Sequence, residues 1–418
     1  MKSIGVSLSE QYLAVRKQSV DICQPLEIED YQVQPMTDAS PPKWHLAHVT
    51  WFFETFILKS FVPGYRPFER SYEVLFNSYY NGVGNQFPRS RRGTLSRPTV
   101  SEVLHYREHV DASMLALLDS DASDEVVFKI TLGLHHEQQH QELLFTDLKY
   151  NFGNNPLAPS YNGCQILPGG HSEPLAFSGY QGGVYQIGVD AGNEFAFDNE
   201  SPRHDVLVRD FALADRLVTN GEFLEFIMDD GYSRPELWLS DAWTLRQTLG
   251  EDAWTHPLYW RLQGDGYEEY TLSGLQTMNP DQPVCHVSAY EADAYARWKG
   301  MRLPTEMEWE VAVQKQEKTG NFAENGYCHP IPATGPGMNE LYGNLWEWTQ
   351  SSYAPYPGFK PFPGQLGEYN GKFMANQLVL RGGSCVTPQS HIRPSYRNFF
   401  YAGDRWQFSG IRLAHDQD

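Results

Sequence analysis

Cysteine is scarce in this chain and has no obvious partners. Cys23, Cys164, Cys285, Cys328 and Cys385 are odd in number, and no two stand as a CxxC pair. This excludes a disulfide framework or a zinc-thiolate site as the organising principle; reduced thiols in an intracellular protein are expected. Positive charge is also short. Against 52 Asp and Glu there are 32 Lys and Arg, a formal net charge of -20. Such a surface repels a nucleic-acid backbone, so no DNA or RNA partner is expected. No apolar run reaches the length of a membrane-spanning helix, and MKSIGVSLSEQYLAVRKQ opens without an apolar stretch of signal-peptide type. A cytoplasmic protein with no membrane partner is the expectation. Short-period repeats and low-complexity tracts are lacking too.

What is present is length and aromatic surface. The 418 residues suit two domains, and a 41% hydrophobic content can bury a sizeable core. Aromatics reach 14%, with 11 Trp and 24 Tyr, enough to wall a deep pocket with flat, polar-tipped rings.

The first 155 residues read as a four-helix bundle with one long connection, 61–98. A first helix is predicted from Ser9 to about Val20. A second opens at Ser40 as N-cap with Pro41 at the first helical position and runs through WHLAHVTWFFETFIL. Thr99 and Glu102 form a capping box for a third, near 100–118. The fourth, about 123–151, contains VVFKITLGLHHEQQHQELLFTDLKY. Residues 156–178 are rich in Gly, Pro and Asn and read as a linker. Residues 179–418 form the second domain. GGVYQIGV, HDVLVRDFAL and QLVLRGGS are strand candidates, and capping boxes at Thr219/Glu222, Ser288/Glu291 and Thr305/Glu308 mark helix starts. Strands and helices do not alternate regularly, which points to an irregular α+β domain and a multidomain α and α+β chain.

Histidine carries the first chemical signal. His136 and His140 are four apart on a predicted helix and project from one face, a spacing that lets two imidazoles reach one metal ion. His48 shares its helix face with Trp44, Trp51 and Phe52, so it points into the core. Alone it reads as well as a core histidine; in a bundle, inward side chains of facing helices converge and build metal sites. His45 and His135 are expected to face solvent. His136-Glu137-Gln138-Gln139-His140 also matches the HExxH pattern of zinc proteases, with Glu137 as general base, but an obvious third ligand is missing from the following turns. With three neutral imidazoles, zinc would activate water and ferrous iron would bind oxygen and substrate; spacing leaves both open.

Tyr79 and Tyr80 lie in the long connection, where a hydroxyl near a metal can deliver a proton and a packing role is equally natural. Arg89, Arg91, Arg92 and Arg97 form the one dense basic cluster of an acidic chain, suited to a small carboxylate or to solvent. Late in the chain, Asn398 beside Phe399 and Phe400 offers one hydrogen-bonding group in an aromatic wall.

Together these stretches resemble a known family over nearly the whole chain. HLAHV around His48 and HEQQHQELL resemble a DinB-type bundle. FDNESPRH (197–204), VTNGEF (218–223), MRLPTEMEWE (301–310), GNLWEWT (343–349), RGGS (381–384) and FSGIRLA (408–414) resemble the formylglycine-generating-enzyme (sulfatase-modifying-factor) fold, related to C-type lectins. The pairing is similar to that of the hercynine oxygenases, the sulfoxide synthases of ergothioneine biosynthesis, and of their ovothiol relatives.

The resemblance implies an Fe(2+) site from His48, His136 and His140, with hercynine, a thiol and O2 as substrates. It implies that Gln139 and Asn398 help hold hercynine and that Arg89 and Arg92 clamp the thiol's carboxylate. It further implies that a Tyr supplies a proton, Tyr80 first and Tyr79 second, and that the product is a sulfoxide at C2 of the imidazole. Members differ in using cysteine or gamma-glutamylcysteine. Some place the active Tyr in the C-terminal domain, with an Asp after an Arg-Asn-Trp motif. Here Arg397-Asn398-Phe399-Phe400 has no Asp, while Tyr79-Tyr80 resembles the cysteine-using type. Copper chemistry of the formylglycine-generating kind needs a close Cys pair late in the chain, and only Cys385 lies there. The competing expectations are an ovothiol-type histidine–cysteine synthase, a DinB-type metal-dependent thiol transferase without O2, and a pure binding module.

Overall fold

The structure, a computed structural model, describes residues 6–120, 122–190, 192, 195–314 and 316–417. It divides into two compact units. The first comprises Met1–Leu157, Tyr161–Gly163 and Phe362–Tyr369; the second comprises Ala158–Ser160, Cys164–Pro361 and Asn370–Asp418. Among the described residues no helix is long and apolar enough to cross a membrane.

Four long helices build the first unit: α1 (Leu8–Cys23), α2 (Pro42–Phe53), α3 (Val100–Leu118) and α4 (Asp124–Gly153). Local chemistry sets their starts. Ser7 and Glu10 exchange side-chain and backbone hydrogen bonds at the head of α1, and Thr99 and Glu102 do the same for α3. The start of α2 differs from expectation by one residue. Pro41 is the N-cap, in an extended conformation, and Pro42 takes the first helical position, where a missing N–H is no loss. Ser40 is instead released to donate its N–H to Asp147 Oδ2 at 2.7 Å.

All twelve residues of α2 are buried. It is the central helix, packed on α3 and α4, and it runs on through a π turn, Glu54–Leu58. Gly133 of α4 lets the two helices approach: a Cβ there would lie 2.6 Å from the Phe53 ring and 3.2 Å from the Phe52 ring. The connection between α2 and α3 holds a short helix, Tyr72–Leu75, and a 3₁₀ turn, Arg89–Thr94.

The second unit is an irregular α+β fold of four small sheets and short helices. The three expected capping boxes of this region all form. Strand Phe211–Ala214 pairs antiparallel with both Phe177–Tyr180 and Ala414–Asp416, so the beginning and end of the unit share one sheet. Trp346–Ser352 and Gln377–Arg381 form the middle of a four-stranded sheet, edged by Asn398–Tyr401 and Ser409–Gly410.

The sequence motifs of this unit meet as buried ion pairs. Glu347 of GNLWEWT receives Arg412 of FSGIRLA on both oxygens at 2.8 Å and the Trp309 indole N–H at 2.8 Å. Arg381 of RGGS reaches Glu310 at 2.8 Å and Glu306 at 3.2 Å, and Arg397 donates to Glu306 at 2.9 Å. Arg393 and Ser395 close on Glu200 of FDNESPRH, at 2.6 Å each. Breaking a buried pair from one side strands the other charge, which costs far more than the pair contributes. Arg412→Ala is expected to destabilise the protein by about 3–5 kcal/mol, read as a lower guanidinium midpoint by tryptophan fluorescence; a midpoint equal to the parent would contradict this account of the motifs.

Candidate metal centre

The three histidines singled out by spacing converge. One ligating nitrogen from each of His48, His136 and His140 lies within 4.8 Å of the other two, and among the described residues this is the one such cluster. His48 comes from the middle of α2, and His136 and His140 from successive turns of α4, three residues beyond the Gly133 contact. His48 and His136 are buried; His140 keeps some surface as a residue, while its ring is desolvated.

The His48 proton sits on its outward nitrogen. His48 Nδ1 lies 2.6 Å from the Phe76 carbonyl, which can only accept, so Nδ1 carries the hydrogen and Nε2 presents a lone pair. That Nε2 faces His136 Nε2 at 3.2 Å. Two imidazoles bound to one ion at about 2.1 Å stand roughly 3.0–3.4 Å apart between right and tetrahedral angles, so the spacing fits a shared cation. Burial holds the His48 pKa well below the ordinary range, with His136 adding to the effect. Burial likewise pushes His136 down to about 3 and His140 well down, helped there by His136 and His48. All three rings are therefore neutral at pH 7, the form a metal requires.

The expectation that His45 faces solvent is overturned. His45 is 2% exposed, with Nδ1 at 2.8 Å from His140 Nδ1 and Nε2 at 2.9 Å from Asp147 Oδ2. The physical reason is that α2 has no solvent face. His135 is half-buried.

The protease reading fails on Glu137. Its carboxylate accepts from Arg16 Nη1 at 2.8 Å, Arg107 Nη2 at 2.9 Å and Ser19 Oγ at 2.7 Å, fully buried. Burial alone would raise its pKa; the two guanidiniums outweigh it and hold it below the ordinary value. A carboxylate so engaged cannot act as general base toward a metal-bound water.

Aromatic rings and one cation line the histidines. Trp44 stacks on His48 with centroids 4.6 Å apart, and the Arg92 guanidinium lies 3.4 Å from the Trp44 centroid. Arg92 is 3% exposed, donates to the hydroxyls of Ser40 (2.9 Å) and Ser78 (3.0 Å), and leaves Nε without a partner. Burial pulls its pKa well below the usual guanidinium range, with Arg89 adding to the fall and Asp147 opposing it. Arg89 is exposed, its guanidinium on the carbonyls of Thr37 (3.2 Å) and Asp38 (2.7 Å). Tyr80 is fully buried between Trp51 and Phe56, stacked on Tyr79 at 4.6 Å. Burial raises its pKa well above the phenol range, so it keeps its proton.

One residue of this neighbourhood escapes the sequence. Tyr369 lies against the His136 ring, centroids 5.7 Å apart, and its hydroxyl donates to Gln139 Oε1. Its segment, Phe362–Tyr369, packs with the bundle. Glu368 accepts the N–H groups of Asn81 (3.0 Å) and Gly82 (2.7 Å), and Gln365 donates to the Gly82 carbonyl at 2.6 Å. Phe362 meets Phe128 edge-on at 5.2 Å. The first unit thus brings together His48, His136, His140, Gln139, Arg92, Tyr79 and Tyr80, with Tyr369 added. Asn398, Phe399 and Phe400 belong to a strand of the second unit. There the Asn398 side chain accepts the Phe399 N–H at 2.9 Å, Phe399 stacks on Tyr353 at 4.0 Å, and Phe400 meets Trp406 edge-on.

Comparison with known proteins gives the family. Residues 11–144 match the DinB superfamily, and residues 177–330 and 324–417 match the sulfatase-modifying factor enzyme 1-like domain. The hercynine oxygenase of Mycolicibacterium thermoresistibile is 30% identical over 442 residues, covering 98% of this chain and 95% of that protein. This chain belongs to the hercynine oxygenase family. The hercynine oxygenase of Mycolicibacterium smegmatis is 32% identical, over 90% of this chain and 91% of its own. The formylglycine-generating enzyme of Streptomyces coelicolor is 29% identical over 304 residues, 60% of this chain and 93% of that enzyme. The chain is thus an oxygenase of this family, a DinB-like bundle joined to a sulfatase-modifying-factor-like domain.

A cation held by three imidazoles depends on each of them. His136→Ala is expected to reduce the divalent metal retained after loading and dialysis from about one ion per chain to near none, by elemental analysis; full retention in a folded variant would remove His136 from the ligand set.

Proposed function

We propose that this oxygenase is the iron(II)-dependent sulfoxide synthase of ergothioneine biosynthesis, joining the sulfur of L-cysteine to C2 of the hercynine imidazole. The observation that carries the reading is the three-imidazole centre in a chain related to hercynine oxygenases over 98% of its length. The reaction balances without a further cofactor. The C2–H and S–H bonds break, C–S and S–O bonds form, and the second oxygen atom leaves as water with both hydrogens, so O2 takes all four electrons.

When bound, iron supplies one centre at which O2, thiolate and imidazole meet, with the electron that begins oxygen reduction. The chain's own groups do the rest. His48, His136 and His140 hold the ion as neutral ligands and leave positions open. Arg92, a buried cation with two hydroxyls as its partners, takes the carboxylate of the thiol substrate, with Arg89 beside it at the surface. Gln139 helps hold hercynine. Tyr80, whose phenol keeps its proton, is the first choice of proton donor and Tyr79 the second.

Free cysteine is the thiol that the Tyr79-Tyr80 pair favours. A second reading, gamma-glutamylcysteine, is favoured by Tyr369, a tyrosine that reaches His136 from late in the chain.

Oxygen uptake by iron-loaded protein is expected to need both hercynine and a thiol and to yield a product of sulfoxide mass. Uptake with neither thiol would overturn the reading, and the better thiol decides between the two versions. Arg92→Ala is expected to raise the KM for the thiol roughly 10- to 100-fold, the worth of a charge-assisted hydrogen bond, while that for hercynine changes little. Equal changes for both substrates would remove Arg92 from the carboxylate.

A further inference from the structure

Behind His140 stands a chain of hydrogen bonds that runs to a carboxylate. Asp147 Oδ2 receives the Ser40 N–H at 2.7 Å and faces His45 Nε2 at 2.9 Å. A carboxylate accepts, so His45 Nε2 carries the hydrogen. His45 Nδ1 faces His140 Nδ1 at 2.8 Å, and a His140 that gives Nε2 to a metal carries its hydrogen on Nδ1, so His45 Nδ1 accepts it. The shared hydrogen belongs to His140, and His140 Nε2 is left as the nitrogen that turns to the metal. Ser40, His45 and Asp147 are buried, His45 on α2 and Asp147 on α4, with Ser40 just ahead of α2.

We propose that His45 and Asp147 are positioning residues for the metal centre, a carboxylate–imidazole relay that fixes the tautomer and ring orientation of His140 and strengthens it as a donor. This rests on the reading of His48, His136 and His140 as ligands. The relay differs from the support of the other two. His48 leans on a backbone carbonyl, Phe76, and His136 Nδ1 is buried without a hydrogen-bond partner. His140 alone is backed by a side-chain carboxylate, passed on through a second imidazole. Because Ser40 also accepts from Arg92 through its hydroxyl, the relay and the buried guanidinium are anchored on the same residue.

Outer-shell partners of this kind change metal affinity by about 10- to 100-fold when removed. The test titrates metal-free protein with Co(II) alone and follows its visible absorption bands, which report coordination geometry. His45→Phe keeps bulk and burial but removes both hydrogen bonds. It is expected to bind Co(II) about 10- to 100-fold more weakly with shifted bands, while the thermal midpoint of the metal-free protein shows that it is folded. His45→Gln, which keeps a donor and an acceptor, is expected to recover part of the affinity. Asp147→Asn, nearly isosteric, is expected to weaken binding in the same direction and serves if His45→Phe does not fold. Wild-type affinity and bands in either folded variant, His45→Phe or Asp147→Asn, would overturn the relay. Parent protein that takes up no Co(II) would overturn the metal centre itself, so the two failures are distinguishable.

Discussion

The structure depends on three imidazoles held with their lone pairs inward. In a buried site such an arrangement is unfavourable by itself, since lone pairs converging on one point repel one another. What keeps it is control of the protons. The Phe76 carbonyl takes the His48 hydrogen outward, and desolvation keeps all three rings uncharged. A divalent cation turns the repulsion into attraction, which couples metal binding to the stability of the bundle. The close approach of α2 and α4 at Gly133 is part of the same device, because it brings His48 within reach of His136.

Helix α4 serves two purposes on two faces. His136 and His140 converge with His48, while Glu137, about 100° around the helix, turns to the guanidiniums of Arg16 on α1 and Arg107 on α3. The negative charge of the HExxH-like segment therefore ties three helices together and stays out of the chemistry. The same five-residue spacing carries opposite meanings depending on what stands opposite the Glu, and only the packing of α1 and α3 decides it.

Much of this was legible before any coordinates. The His136/His140 spacing, the core face of His48 and the capping boxes are local signals, and local signals survive folding. The one-residue slip at Ser40 came from two adjacent prolines, either of which satisfies the first-turn rule. His45 was misread because the argument from helix faces assumes a wet side, and α2 is buried all round. Tyr369 was invisible for another reason: it lies 230 residues from Gln139, in a segment without periodicity, and only the seating of Glu368 and Gln365 on the Asn81-Gly82 turn brings it in. The long-range motifs announced the second fold, but that their acidic and basic members pair with one another across the core is a tertiary fact.

In the proposed function, Arg92 links the architecture to the choice of substrate. A guanidinium buried against Trp44 with hydroxyl partners costs stability that hydroxyls do not return. Folds tolerate such a charge where an anion arrives to neutralise it. In the proposed function a thiol substrate's carboxylate would do so as its sulfur nears the histidines, so relief of the buried charge and delivery of the sulfur would be one event. A simple thiol lacking the carboxylate would leave Arg92 uncompensated. On the proposed function, selectivity for a carboxylate-bearing thiol would follow from the cost of a single buried charge, whether or not the thiol is glutamylated.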